Sequence, residues 1–206
     1  MDKTSILISL DNVICFPKYL DTINEFMNTN YVIDNFKEYY MDSEVVPDNR
    51  YQEFITYLNN KNLYENATLL PNAKEVLEKL NFFYELYIYT SYVNKINNRL
   101  SPKEFKNKYD YLLSTLTFIE PEKFVFIENS EILHGDALID DRISCLKSNG
   151  NTKYKILFPA YHNKKIPNTY IEQLNIIRAG YNWQEGWETI GKMFLPDEQK
   201  KYTFKR

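Results

Sequence analysis

The chain has 206 residues, 44% of them hydrophobic and 26% charged, with a formal net charge of −3. That length and balance fit one substantial folded core with room for a small insertion, and they exclude a disordered chain. The mild acidity excludes nucleic-acid binding through a broad basic face, and no apolar run approaches the ~20 residues that span a bilayer.

The first predicted element is a strand. Ile6-Leu7-Ile8 climbs into Ser9-Leu10-Asp11-Asn12 and returns to Val13-Ile14. An apolar run ending in polar groups reads as a buried parallel strand with chemistry at its C-terminal end. A plain strand running into a turn capped by Asp11 gives the same pattern. The short apolar segment interrupted by Asp11 does not read as a signal peptide. Cys15 and Cys145 provide no disulfide framework and suit a reducing cytoplasm, each as a small buried hydrophobe.

Residues 16–68 carry helical periodicity without strand alternation. Leu20, Ile23, Phe26 and Met27 share one face, and Tyr51, Phe54, Ile55 and Leu58 share another. Val45-Val46-Pro47 breaks the segment between them. The expectation is a small helical cap over 16–68, inserted into an α/β core made of 1–15 and 69–206. Phe26, Phe36, Tyr40 and Tyr57 fit either a base-stacking surface or packing between helices.

Beyond the insertion, Ala73, Val76, Leu77 and Leu80 form the stripe of a helix, and Tyr84–Tyr89 reads as a strand ending in Thr90-Ser91. A polar loop over Asn94–Leu100 leads to Ser101-Pro102-Lys103-Glu104, which has the spacing of a capping box. Phe124–Ile127 and Ala137–Ile139 are short strands, the second running into Asp140-Asp141. A turn at 148–151 precedes the strand Tyr154–Phe158, and Trp183–Phe194 is the last amphipathic helix. The tail from Leu195 is charged and reads as peripheral. His134 and His162 are isolated and do not suggest zinc; His134 reads as packed or hydrogen-bonded. Alternating strands and helices predict an α/β fold, a Rossmann-like parallel sheet flanked by helices. No glycine-rich dinucleotide or Walker A pattern is present.

Three strands thus end in polar residues: Ser9 and Asp11, Thr90 and Ser91, Asp140 and Asp141. A parallel sheet brings such ends together. Adjacent carboxylates suit a cation such as Mg²⁺, and hydroxyls suit phosphate oxygens. An acidic pair in a solvated turn is the alternative.

With those residues in view, Asp136-Ala137-Leu138-Ile139-Asp140-Asp141-Arg142 resembles the last motif of the 5'(3')-deoxyribonucleotidases, members of the haloacid-dehalogenase-like phosphatases. The first strand, Tyr84–Ser91, the Lys108-Tyr109 helix, Phe124–Ile127, Leu157–Asn163 and the Gly186-Trp187 helix resemble the family in the same order. The resemblance implies a haloacid-dehalogenase-like core with a cap after the first strand. It further implies Asp11 as general acid and base, Thr90, Ser91 and Lys108 around the phosphate, and Asp11, Asp140 and Asp141 around Mg²⁺. A nucleotide or phosphate ligand, a pyrimidine preference and a homodimer are implied on the same footing, with no nucleic-acid polymer and no membrane.

Two positions depart from the pattern. The nucleophilic Asp is replaced by Ser9, and the lysine expected ten residues before Asp140 falls on Ser130. Losing a carboxylate and its balancing cation together is physically consistent, and weakened Mg²⁺ binding is expected. A serine needs an activating base, which Asp11 could supply. Three readings stay open: a nucleotide or phosphate binder with weakened or absent phosphatase activity, a working Mg²⁺-dependent deoxyribonucleoside 5'-monophosphate phosphatase, and a scaffold or interaction protein. The double substitution Ser9→Asp/Ser130→Lys is expected to restore more turnover than its singles combined.

Overall fold

The computed structural model describes residues 3–94 and 98–197. Six parallel strands form one sheet: β1 (Ser5–Ser9), β4 (Glu85–Thr90), β5 (Phe124–Phe126), β6 (Ala137–Asp140), β7 (Tyr154–Leu157) and β8 (Ile176–Arg178). Their order is β5-β4-β1-β6-β7-β8. β1 is therefore central, with β4 on one side and β6 on the other. The chain reverses its direction of winding at β1, and in such sheets the crevice beyond the strand ends is where ligands bind.

Strict alternation along the strands feeds two apolar layers. Ile6, Ile8, Ile88 and Ile139 face α4 (Ala73–Phe83), α5 (Ser101–Thr115) and α8 (Trp183–Phe194), packing on Leu77, Leu112 and Trp187. Leu7, Tyr89, Leu138 and Leu157 face the opposite side, against Leu146 of α6 (Ile143–Ser148) and Ile171 of α7 (Asn168–Gln173). Burial on both faces explains why these strands read as continuous apolar runs.

The helix α8 is docked by two residues. Trp187 is fully buried and its Nε1 donates to Val13 O at 2.9 Å. Gly186 lies under the end of β7, where an added Cβ would stand 2.7 Å from Phe158 Cε2 and 2.8 Å from Pro159 Cδ. Gly186→Ala is expected to lose about 1–3 kcal/mol of stability through overpacking. Urea denaturation measures it, and an unchanged midpoint would show that the helix shifts freely.

The predicted insertion contains α1 (Tyr19–Met27), α2 (Asp42–Val45) and α3 (Asp48–Asn59). Leu20, Ile23, Phe36, Met41, Phe54 and Ile55 gather into an apolar cluster distinct from the two sheet layers. Pro47 stands at the N-terminal cap of α3, as the Val-Val-Pro break suggested. A two-residue ribbon absent from the sequence prediction closes its base: β2 (Cys15–Phe16) pairs antiparallel with β3 (Thr68–Leu69).

Other expectations need correction. Ser101 does not cap its helix by a capping box. A 3₁₀ turn over Asn98–Leu100 carries the helical path upstream, and the Ser101 hydroxyl accepts from Asn94 N at 3.0 Å instead. Residues 95–97 of the anticipated loop lie outside the described residues. The short elements α6, α7 and β8 were not anticipated, because three to six residues carry too little periodicity to register. His134 is exposed rather than packed. Leu195 is buried, so the tail begins later than expected; 198–206 lie outside the described residues. Cys15 and Cys145 are both free and buried.

Candidate functional site

The turn after β1 places the first functional side chain. Leu10 O accepts from Ile14 N at 2.9 Å, and Asn12 N donates to Cys15 O at 2.9 Å. Asn12 adopts φ 60°, a left-handed conformation that asparagine tolerates better than most side chains. Its amide then donates to Asp141 Oδ2 at 2.9 Å, tying this turn to the end of β6. Asp11, on the same turn, faces β4 and α5.

Asp11 is the hub of a polar cluster. Lys108 Nζ donates to Asp11 Oδ2 at 2.7 Å and to Thr90 Oγ1 at 2.9 Å. Thr90 Oγ1 also stands 3.3 Å from Asp11 Oδ2, and the Tyr64 hydroxyl donates to Asp11 Oδ1. Burial alone would raise the Asp11 carboxyl, but the charge and hydrogen bond of Lys108, the Tyr64 hydrogen bond and the field of Arg142 outweigh it and hold Asp11 below its ordinary value. Lys108, itself buried, lies 5.3 Å from the centre of the Tyr64 ring. The sequence brought Asp11, Thr90 and Lys108 to one place, and the structure joins all three by hydrogen bonds. Ser91 follows Thr90 and lines the cavity described below.

The acidic pair has a different environment. Asp140 is fully buried; its Oδ1 accepts from Arg142 N at 2.7 Å and its Oδ2 accepts from the Tyr89 hydroxyl. The Arg142 Nε lies 3.6 Å from Asp140 Oδ1. Asp141 is buried beside Asp140, and burial followed by that neighbouring charge pushes its carboxyl well above the ordinary value. The Asp141 carbonyl accepts from Asn163 Nδ2 at 2.8 Å and lies 3.1 Å from His162 Nε2.

Burial and the nearby Arg142 guanidinium push His162 down to about 4. Its folded value lies below the unfolded one, so the neutral ring stabilises the fold above pH ~6.5, and that contribution is lost as pH falls toward about 4. His162→Gln, which keeps a donor for the Asp141 carbonyl, is expected to remove a drop of about 3 kcal/mol across that window. Denaturation curves between pH 7 and pH 4 check this, and equal losses in both proteins would place the titration elsewhere.

Ser9 sits apart from the cluster. It pairs with Tyr89 across β1 and β4, while Ile8 pairs with Ile139. Tyr89, Ser9 and Asp140 therefore form one row across three neighbouring strands, on the face that carries Leu7 and Leu138. Strands are ~4.8 Å apart, so a Tyr89 hydroxyl that reaches Asp140 must cross β1 above Ser9. Tyr89 and Ser9 are both buried. Asp11 bonds to Tyr64, Lys108 and Thr90, which leaves it turned away from the task of activating Ser9.

A cavity of about 450 Å³ opens over this floor, within the usual range of small-molecule sites. Asp11, Ser91, Lys108, Ser130 and Arg142 line it from the sheet side, and Tyr19, Tyr40, Asp42 and Tyr51 line it from the insertion. The buried Asp42 carboxylate accepts from both Tyr19 and Tyr51, at 2.7 and 2.9 Å. Of the four aromatics singled out in the insertion, Phe36 is buried and Phe26 packs on Phe54 and Tyr57, whereas Tyr40 lines the cavity. Ser9 is not among the lining residues. Ser130, in a 3₁₀ turn, brings a hydroxyl and no charge.

Among the described residues, no group of three His, Cys, Asp or Glu side chains is arranged to hold a metal ion. Mg²⁺ takes near-octahedral oxygen ligands, most often one or two carboxylates with water and phosphate. Here the Lys108 ammonium is already at Asp11, the Tyr89 hydroxyl and the Arg142 guanidinium are at Asp140, the Asn12 amide is at Asp141, and Ser9 adds no carboxylate. The donor set as arranged does not fit the Mg²⁺ that the resemblance implies.

Sequence reasoning missed Tyr89, Tyr64, Asn12, Arg142 and His162. Tyr89 and Arg142 each adjoin a residue it had selected, and that adjacency was the available signal. Tyr64 is remote in sequence and gave none, whereas His162 lay inside the Leu157–Asn163 segment and was weighed only as a zinc ligand.

The chain is 28% identical over 207 residues to a Staphylococcus aureus (strain Mu50) protein provisionally named 5'(3')-deoxyribonucleotidase, covering 97% of this chain and all of that one. It is 25% identical over 167 residues to the 5'(3')-deoxyribonucleotidase of Clostridium acetobutylicum, covering 80% of this chain and 86% of the relative. Among solved structures, a haloacid-dehalogenase-superfamily hydrolase from Ehrlichia chaffeensis aligns over 94% of this chain and 98% of its own, with a TM-score of 0.38 and 14% identity. Residues 3–194 match the family described as 5' nucleotidase, deoxy (pyrimidine), cytosolic type C protein (NT5C), and the chain belongs to that family.

Proposed function

We propose that this chain binds a deoxynucleoside monophosphate, or another phosphate monoester, in the cavity above Asp11, and hydrolyses it weakly or not at all. One observation carries this: Lys108 and Asp11, joined to Thr90 by hydrogen bonds, line the cavity, while Ser9, at the nucleophile's position, is buried in the row beside Tyr89 and does not line it. Lys108 supplies a buried cation for a phosphate oxygen, and Ser91 a hydroxyl beside it. Asp11 is ionised and held by donors, so it is poorly placed to deliver a proton to a leaving group. Losing an attacking group removes several orders of magnitude in rate. The insertion covers the ligand, and its tyrosines contact the base.

Two measurements test the proposal. Thermal denaturation with dUMP, dTMP and inorganic phosphate is expected to show a rise in midpoint for the nucleotides, since a ligand that binds only the folded state stabilises it. Release of phosphate from the same nucleotides is expected to stay near background. Rapid turnover abolished by Ser9→Ala would establish a serine-dependent enzyme instead. No shift with any nucleotide would favour a scaffold or interaction protein.

A further inference from the structure

We infer that the protein's own side chains stand where a divalent cation would be held: the Tyr89 hydroxyl and Arg142 occupy Asp140, so that the site works without a bound metal. The position of this site beneath the cavity rests on the nucleotide-binding reading; the occupation of Asp140 does not.

Three features support it. Asp140 has no exposure, and both its oxygens already accept hydrogen bonds, one from Arg142 N and one from the Tyr89 hydroxyl. Tyr89 reaches Asp140 only by crossing β1, and Ser9 is the small residue that lets it pass. A carboxylate at position 9 would stand in the path of the ring, so the loss of the nucleophile and the presence of Tyr89 fit one another. Third, Arg142 supplies a fixed positive charge at the same carboxylate, with its Nε 3.6 Å from Asp140 Oδ1. The guanidinium is braced from the insertion side, where its Cζ lies 5.6 Å from the centre of the Tyr39 ring. Tyr39 is in turn anchored, its carbonyl accepting from the Tyr161 hydroxyl at 2.6 Å. Arg142 also lines the cavity with a side chain 36% exposed, and a guanidinium there suits a phosphate oxygen. A bound divalent ion would have to displace the Tyr89 hydroxyl and the Arg142 guanidinium from a fully buried carboxylate, leaving a buried tyrosine hydroxyl to find a new partner, whereas the Arg142 backbone N–H can stay, since each carboxylate oxygen accepts more than once.

Mn²⁺ titration of the full chain, followed by the electron paramagnetic resonance of the free ion, tests the inference without any nucleotide. Wild type is expected to take up no ion saturably at millimolar Mn²⁺, and Tyr89→Phe/Arg142→Gln to gain a site that a further Asp140→Asn removes. Saturable uptake by wild type that Asp140→Asn abolishes would overturn the inference, whatever the fate of the double variant. Calorimetry with dUMP in EDTA and in Mg²⁺ gives a second readout. Equal affinity in the two buffers, with Arg142→Gln about tenfold weaker in both, is the expected result. Binding that needs Mg²⁺ would overturn the inference and keep the nucleotide reading. No dUMP binding in either buffer, beside a wild type that still takes up no Mn²⁺, would overturn the nucleotide reading and support the occupation of Asp140.

Discussion

Replacing Lys108 by methionine is expected to abolish nucleotide binding and to destabilise the fold by about 3 kcal/mol at neutral pH, because removing one partner leaves a buried charge uncompensated. The Lys108 side chain is 9% exposed and that of Asp11 23%, so the loss falls at the low end of what a fully buried pair would show. The pH dependence has a definite sign. In the native protein Lys108 and Tyr64 overcome the effect of burial and hold Asp11 below its ordinary value. That stabilisation is complete above the unfolded carboxylate value and is lost as pH falls through the depressed folded one. Without the cation, burial dominates and Asp11 titrates above its ordinary value, so the variant is penalised most where the carboxylate is ionised. Urea denaturation at pH 7 and near pH 4 should therefore show a deficit that shrinks in acid. An equal deficit at both would mean that Lys108 contributes packing alone. Calorimetry with dUMP, on the folded variant at pH 7, reads the binding loss.

Ser9→Asp is expected to destabilise by about 3 kcal/mol and to yield no turnover, with or without Ser130→Lys. Restoring the family's charges looked sufficient from sequence, where Ser9 and Ser130 were the only visible departures. The structure adds an obstacle. An aspartate at position 9 would be buried in the row that holds Tyr89 and Asp140, against the ring and next to a carboxylate that is already satisfied. Like charges at that separation disfavour ionisation. Adding Tyr89→Ala to Ser9→Asp opens the path and is expected to recover about half of the lost stability, a coupling that a double-mutant cycle measures directly. Full stability and new phosphatase activity in Ser9→Asp alone would show that Tyr89 does not fill the nucleophile's place.

The acidic pair and the cluster around Asp11 are expected to respond differently to substitution for a physical reason. Asp11 is paired with a flexible amine that a phosphate can share, since an ammonium has three donors and no fixed plane. Asp140 is held by the backbone N–H of Arg142 at the start of α6 and by a ring hydroxyl carried on β4. The first arrangement can open to a ligand without breaking the fold. The second belongs to the layer that packs Leu7, Leu138 and Leu146.

Much of the fold was legible in the chain. Strands such as Ile6–Ile8 and Ala137–Ile139 are apolar throughout because both faces are buried, and each ends in its polar residues where the sheet ends. The helices from Ala73 and Trp183 show their stripes because one face meets the sheet. The order of those motifs also carried the family resemblance, and with it Asp11, Thr90 and Lys108. What sequence could not reach was anything set across strands. Which residue lies beside Ser9 depends on β4 and β6 flanking β1, and on a register that no local pattern encodes. Tyr89 reads locally as one more β-forming residue in an apolar strand, and Arg142 as a charge after an acidic turn. Only the tertiary structure brings the Tyr89 hydroxyl over Ser9 to Asp140, and Arg142 to the same carboxylate. Chemistry along one strand is written in the chain, whereas chemistry between strands is decided by the neighbours that folding supplies.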